Sequence, residues 1–314
     1  MSPVGISTLL SPLIQRVPLY KIEHMKIAVD VNALMFIMSK CAIRHRIKKK
    51  FSLKEANDVL HHEEFERAEY GSYCIDTIKK AMEILRDEFY CIFVFDGKVF
   101  SEKQLEMERR SRKHMEAKET LATMRRIFQH DTSNEGNAKQ YYDALFECIE
   151  LSISEAPTSL DVCAVGEYEA DVTCAHMCQS GEVDAVLSSD YDSLLFGCPY
   201  LIKDIDMVEG YADVITLQSI YNYFNIDRFQ VIDICILMGT DYNKKISRVG
   251  PKTALAEIQS HGKLENTKYY NKKELSINRL RQIYNCTYSK HKVRWFSIKA
   301  NEEFDMLECS IKIL

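Results

Sequence analysis

The chain has 314 residues, 46% of them hydrophobic and 28% charged, with only 11 glycines and 6 prolines. Such a composition supports a sizeable core and excludes a collagen-like, low-complexity or wholly disordered chain. The 41 Lys and Arg against 46 Asp and Glu leave a net charge of -5, so the average shows none of the basic excess common in nucleic-acid binders.

In chain order, the opening MSPVGISTLLSPLIQRVPLYK lacks a basic segment before its apolar stretch. No apolar run approaches 18 residues. Eleven cysteines are too sparse for a disulfide scaffold. A soluble intracellular protein is expected, with no membrane partner. MKIAVDVNALMFI reads as a buried strand over residues 27–31 feeding a helix, and CIFVFDG as a second strand ending at Asp96. Residues 101–128 hold neither Gly nor Pro and many charges, which predicts a long exposed helix. Gly136 marks a break before YYDALFECIELSI resumes as helix. LDVCAV forms a strand just before Glu167, and residues 185–188 form another with Asp190 and Asp192 in the turn beyond. Residues 229–239 read as an apolar helix, followed by turn-helix material through Gly262. The last thirty or so residues carry no readable pattern.

Charge is distributed unevenly along this order. From Gln140 to Ile202 there is no Lys or Arg and there are twelve acids, including Glu167, Glu169, Asp171, Asp190 and Asp192. Basic residues gather instead in three zones: Lys40, Arg44, Arg46, Lys48, Lys49 and Lys50; nine between Lys98 and Arg126; and eight between Lys268 and Arg294. Composition alone leaves a solvated surface as the alternative. A phosphate backbone needs distributed positive charge, and an acidic centre repels it unless cations bridge the two.

Asp30, Asp96, Glu167, Glu169, Asp190, Asp192 and Asp241 all adjoin apolar runs, several at strand ends, where α/β sheets build sites. Carboxylates embedded in core-like sequence are paired or bind metal. Oxygen donors alone suit Mg2+, with Mn2+ as substitute, and seven carboxylates suffice for two such ions roughly 4 Å apart, the arrangement for in-line phosphodiester hydrolysis. Cys174, His176 and Cys178 do not make a zinc site, because i and i+2 diverge on a helix and no second half follows; the histidine is expected on the helix surface and the cysteines in the core. Lys103 and Arg110, two helical turns apart, share a face and could clamp a phosphate, the alternative being a solvated helix surface.

The ordered set GISTLL, AVDVNA, FVFDG, EYEAD, SSDYDSLLFG and MGTDY followed by VGPKTA resembles the XPG-type structure-specific 5' nucleases, the flap endonuclease and exonuclease I branch, with EYEAD and DSLLFGC…LIKDIDM nearer exonuclease I. The resemblance runs from Gly5 to about His261. It implies an α/β, PIN-like core, a central mostly parallel sheet flanked by helices, with a helical arch and a helix-two-turn-helix segment. One nuclease domain divides into an N-terminal motif (5–100), an arch or gateway (101–150), an internal motif (155–239), the helix-two-turn-helix (240–261) and a C-terminal basic segment (262–314).

The same resemblance places Asp190, Asp192 and Asp241 toward one Mg2+ and Asp30, Asp96 and Glu167 toward the other, with Glu169 assisting either. It sets Lys103 and Arg110 at the arch base and Phe36 where the family stacks a side chain on a DNA base; from the residues alone Phe36 is a core aromatic. The Lys40 to Lys50 run is a DNA contact or a localisation signal. Lys252 and the Gly250 backbone fall where the family holds duplex phosphates and K+. Arg248 stands where the family has a first glycine, and could itself meet phosphate. Met1 to Val4 precede Gly5, where family members begin Met-Gly-Ile. The expected partner is double-stranded DNA bearing a 5' single-stranded end, nick, gap or flap, bound by a monomer in the nucleus, or in the cytoplasm of a host replicating DNA there. No terminal sliding-clamp peptide is evident. An RNA-directed PIN-like nuclease and a non-catalytic DNA-binding paralogue are the alternatives.

Overall fold

The computed structural model describes residues 5–35, 80–130, 136–137, 140–141, 144, 160–270, 276–286 and 293–298. Phe36, Arg44, Arg46, Lys48, Lys49 and Lys50 lie outside them. Eight strands form one sheet in the order β1-β7-β6-β5-β2-β3-β4-β8. These are β1 (Gln15–Pro18), β2 (Lys26–Asp30), β3 (Tyr90–Phe95), β4 (Leu160–Val165), β5 (Ala185–Leu187), β6 (Tyr200–Asp206), β7 (Tyr211–Thr216) and β8 (Arg294–Ile298). The five central strands β6, β5, β2, β3 and β4 run parallel, and antiparallel strands close both edges. The expected mostly parallel sheet with flanking helices is what forms.

Alternation within the strands explains the layering. Ile27, Val29, Phe93, Phe95, Ala185 and Leu187 pack on one face with Met82 and Leu85 of the helical residues 80–88 and with Phe89 just beyond them. Ala28, Val94, Ala164 and Val186 face the other way, against the remaining helices. A sheet covered on both faces needs apolar residues at every position, so its parallel strands read as unbroken apolar runs.

The helices used below are α1 (Ile6–Leu10), α2 (Gln104–His130), α3 (Ala170–Gln179), α4 (Asp192–Leu195), α5 (Leu217–Phe224), α6 (Arg228–Met238), α7 (Pro251–His261) and α8 (Ile277–Tyr284). A capping box between Asp227 and Gln230 starts α6, and Gly239 at φ 88 ends it. α2 is the long, largely exposed helix expected from its charge. Gly136, expected to interrupt helix, is itself helical; residues 131–135 lie outside the described set.

One expectation fails because a residue expected at the surface lies inside the fold. His176 sits on α3 but is only 4% exposed, packed where Cys286 Sγ lies 3.8 Å from its Nε2; burial, aided by Arg228, lowers its pKa to about 4. Cys174 and Cys178 beside it are core, as expected. In the C-terminal basic zone, the described side chains are occupied by acids of this chain. Arg281 pairs with buried Asp233 at 2.6 Å and with Glu265 at 2.6 Å, Arg279 with Glu102 at 2.5 Å, and Lys268 with Glu257 at 3.4 Å. That chemistry fastens α8 to α6 and to the base of α2.

Candidate active site

Four parallel strands deliver acids to the same sheet edge. Asp30 is the last residue of β2, Asp96 follows β3, Glu169 and Asp171 follow β4, and Asp190 and Asp192 follow β5. Asp241 arrives from the turn after α6. Asp192 opens α4 rather than standing in a turn.

Glycine makes a close backbone junction possible here. A Cβ on Gly97 would lie 2.3 Å from the Gly166 carbonyl oxygen and 2.6 Å from that of Tyr168. The close approach lets Gly97 N donate to Tyr168 O (2.9 Å) and Lys98 N to Glu167 O (3.0 Å), and lets Asp96 Oδ1 accept from Ala170 N (2.8 Å) at the start of α3. Asn32 donates to the other Asp96 oxygen. Because both obstructing atoms are backbone, Gly97→Ala is expected to cost about 3 kcal/mol by overpacking. Urea unfolding measures this, and an unchanged midpoint would contradict the contact.

The segment after β4 leads directly into α3. Glu169, 5% exposed, is the residue preceding α3, and Asp171 lies in its first turn. Asp171 has its pKa driven well up, first by burial and then by the charges of Glu169, Asp192 and Asp30, with Lys103 opposing. Asp171 therefore belongs to the cluster, although the sequence reading left it out. Among the interactions of Glu167 are one through its carbonyl with Lys98 N and one of its charge with Cys286. Glu169 and Asp171 flank the start of the apolar helix beginning at Ala170, where a helix N-terminus favours carboxylates.

Crowding of like charge is the dominant electrostatic fact here. Burial, then Asp96 and Asp190, push Asp30 up to about 7 against hydrogen bonds from Ala33 N (3.1 Å) and Ser188 Oγ (3.1 Å). Burial raises Asp192 to about 8, with Asp190 and Asp241 adding to it, and its Oδ1 is a buried atom with no hydrogen-bond partner. Two carboxylates about 5 Å apart repel by roughly 3 kcal/mol at an effective dielectric near 20, so such a cluster requires positive charge.

Lysine and arginine from the base of α2 supply part of it. Lys103 Nζ pairs with Glu169 and lies 3.4 Å from Asp241; Arg110 Nη2 donates to Asp241 at 2.6 Å. Burial alone would lower the Lys103 pKa, but Glu169, Asp171 and Asp241 outweigh it and raise the group. A third cation escaped the sequence reading: Lys203, the first basic residue after the acidic stretch, donates to Ser189 O and lies 3.8 Å from the Tyr191 ring centroid.

Among the described residues no three of these acids converge on a single point as an ion-binding set. The donors nevertheless fit a hard divalent cation, being all oxygen, partly or fully buried and, at Asp192, unpartnered. Lys103 stands between two of them.

Beyond α6, turns at 241–242 and 247–248 lead to α7, whose first residue is Pro251 and whose preceding residue is Gly250. Lys244, Lys245, Arg248 and Lys252 are exposed there. Arg248 adopts φ 63, the left-handed conformation at the place where the sequence comparison lacked a glycine. That conformation costs an L-residue roughly 1–2 kcal/mol. Arg248→Gly should therefore raise the melting temperature by a few degrees, and the phosphate contact that the sequence leads one to expect of Arg248 predicts weaker duplex DNA binding through the lost cation. Calorimetry and a salt-dependent binding titration test the two signs separately.

Residues 162–241 match the XPG I-region, which spans Glu167, Glu169, Asp171, Asp190, Asp192 and Asp241. Flap endonuclease 1 of Haloarcula marismortui is 26% identical over 247 residues, covering 76% of this chain and 69% of that protein. Flap endonuclease 1 of Haloquadratum walsbyi is 34% identical over 174 residues, 55% of this chain and 52% of the relative. The chain thus spans between about half and two thirds of these relatives' lengths. The fold is shared with the catalytic core of Rad2 in complex with DNA substrate, at TM-score 0.53 and 20% identity over 90% of this chain and 76% of that one. It is shared also with flap endonuclease-1 from Methanococcus jannaschii, at TM-score 0.51 and 19% identity over 88% and 83%. The matched I-region, the related sequences and the common sheet support placing this chain with the XPG-type 5' nucleases.

Proposed function

We propose that the chain is a divalent-metal-dependent nuclease that hydrolyses DNA phosphodiesters at 5' ends, nicks, gaps or flaps in repair, replication or recombination, leaving a 5'-phosphate and a 3'-hydroxyl. The observation that carries this reading is the meeting of a buried acidic cluster with two cations from the base of a long exposed helix. Asp30, Asp96, Glu169, Asp171, Asp190, Asp192 and Asp241, with Glu167 at the margin, would hold two Mg2+ or Mn2+ ions. Bound there, such ions supply Lewis acidity toward water and the phosphoryl oxygens.

Lys103 and Arg110 have a second task in this reading, because their donors already reach the acidic centre and suit a phosphate equally well. They orient the scissile phosphodiester over the carboxylates. Arg248, Lys252 and the Gly250 backbone hold the phosphates of the duplex at the start of α7, where a K+ ion would add to them.

Incubation of a labelled 5'-flap duplex, a recessed duplex and an RNA counterpart with Mg2+ tests the proposal, with Asp192→Ala as the paired variant. Metal-dependent cleavage of DNA that the variant loses by on the order of 10²-fold or more is expected. Equal cleavage by both proteins, or none, contradicts the assigned mechanism, and the panel itself separates exonuclease from flap cleavage.

A further inference from the structure

Tyr242 is buried beside the acidic centre, and nothing in the mechanism above uses it. Its hydroxyl donates to Glu169 Oε2 at 3.2 Å, the oxygen opposite the one that Lys103 holds. The ring is caged edge-on by three aromatics: Phe100 at 5.8 Å and 87°, Phe196 at 6.5 Å and 83°, and Tyr284 at 5.7 Å and 78°. Each comes from a different part of the site. Phe100 immediately precedes the turn bearing Lys103 and stacks at 4.6 Å on Tyr168, the neighbour of Glu169. Phe196 follows α4, which begins at Asp192, and Tyr284 ends α8 and is hydrogen-bonded to the Thr240 side chain.

We infer that Tyr242 is a positioning residue that holds the Glu169 carboxylate toward the cation site, and that α8 serves the site by bracing its ring. The inference rests on the proposed metal-dependent function. A caged ring has one orientation, so its hydroxyl presents a donor at one place. Lys103 is a long side chain assigned to phosphate during the reaction; when it leaves, Tyr242 is the group that keeps Glu169 from rotating. Adjacency to Asp241 means that one turn supplies an acid and also the anchor of another acid across the cluster. The C-terminal segment, unreadable in sequence, thereby acquires a role through Tyr284, which is 1% exposed, and through the contact of Arg228 Nη2 with the Tyr284 carbonyl at 2.9 Å.

Tyr242→Phe removes the hydroxyl and keeps the cage, while Tyr242→Leu removes both. Mn2+ binding to the full chain without DNA, followed calorimetrically, is expected to weaken about tenfold in Tyr242→Phe, as for other groups that orient metal ligands. Its melting temperature in EDTA should stay within about 2 °C of wild type. Tyr242→Leu should melt well below both. Flap cleavage by Tyr242→Phe should fall about tenfold at low Mn2+ and recover as Mn2+ is raised. Wild-type Mn2+ affinity in Tyr242→Phe overturns the inference. So does an affinity loss accompanied by a fall in melting temperature equal to that of Tyr242→Leu, since the ring's effect is then structural alone. If wild type binds Mn2+ but cleaves no DNA, the proposed function fails while the affinity comparison still decides the role of Tyr242.

Discussion

Asparagine in place of Asp171 is expected to lower flap cleavage by on the order of 10²- to 10³-fold, whereas Glu167→Gln should stay within about threefold of wild type. The contrast follows from where the two acids act. Asp171 lies in the first turn of α3 and interacts with Glu169, Lys103, Asp192 and Asp30. Glu167 interacts with Cys286, and its carbonyl accepts from Lys98. Asn is isosteric with Asp, so the fold is preserved while one charge leaves a crowded cluster. Since burial and then the neighbouring carboxylates raise the pKa of Asp171, its ionised form is unfavourable there, and the neutral variant should melt higher than wild type in EDTA. A variant that is more stable and nearly inactive separates a functional acid from a structural one. Should Glu167→Gln lose activity instead, the assignment between the two i, i+2 pairs is reversed.

That ambiguity shows what a linear reading reaches and what it does not. The strands β2, β3, β4 and β5 are legible because a sheet buried on both faces demands continuous apolar runs, and the acids at their ends stand out against them. β6 and β7 are a different case: YLIKDID and YADVIT mix acids among apolar residues, with a register shift between Ile202 and Asp204, so neither period is clean. β8 depends on pairing with β4, more than a hundred residues earlier, which no local pattern contains.

Side-chain partnerships were likewise out of reach. Arg279 and Arg281 look like free surface charge beside one glutamate in sequence, yet their acids lie at Glu102, Asp233 and Glu265. His176 reads as surface when its helix is taken alone, and as core once α3 packs beneath the sheet. Lys103 and Arg110 were found by their helical spacing, but spacing does not tell that both reach Asp241. Exposure and partner choice are tertiary properties, while strand ends are local ones.

The Lys103 contact carries the second large expectation. Lys103→Met should cut cleavage by on the order of 10²- to 10³-fold while tightening divalent-ion binding by about tenfold, two effects of opposite sign. In the fold as it stands, the ammonium group pairs with Glu169 and lies 3.4 Å from Asp241, both proposed ligands. A cation entering between them has to displace it, so the measured affinity contains the cost of breaking a nearly buried ion pair. By reciprocity, the ion weakens the hold of the acids on Lys103 and releases it toward phosphate. Met keeps the apolar stem and removes the competitor. The same substitution leaves Glu169 and Asp241 with less compensation in EDTA, where breaking a buried pair costs about 3–5 kcal/mol. Melting temperature should therefore drop in EDTA and rise more steeply with added Mg2+ than it does for wild type. Calorimetry with and without Mg2+, run beside the cleavage assay, reads all three quantities. Unchanged or weaker ion affinity in Lys103→Met would show that the lysine does not compete for these carboxylates, whatever happens to the rate.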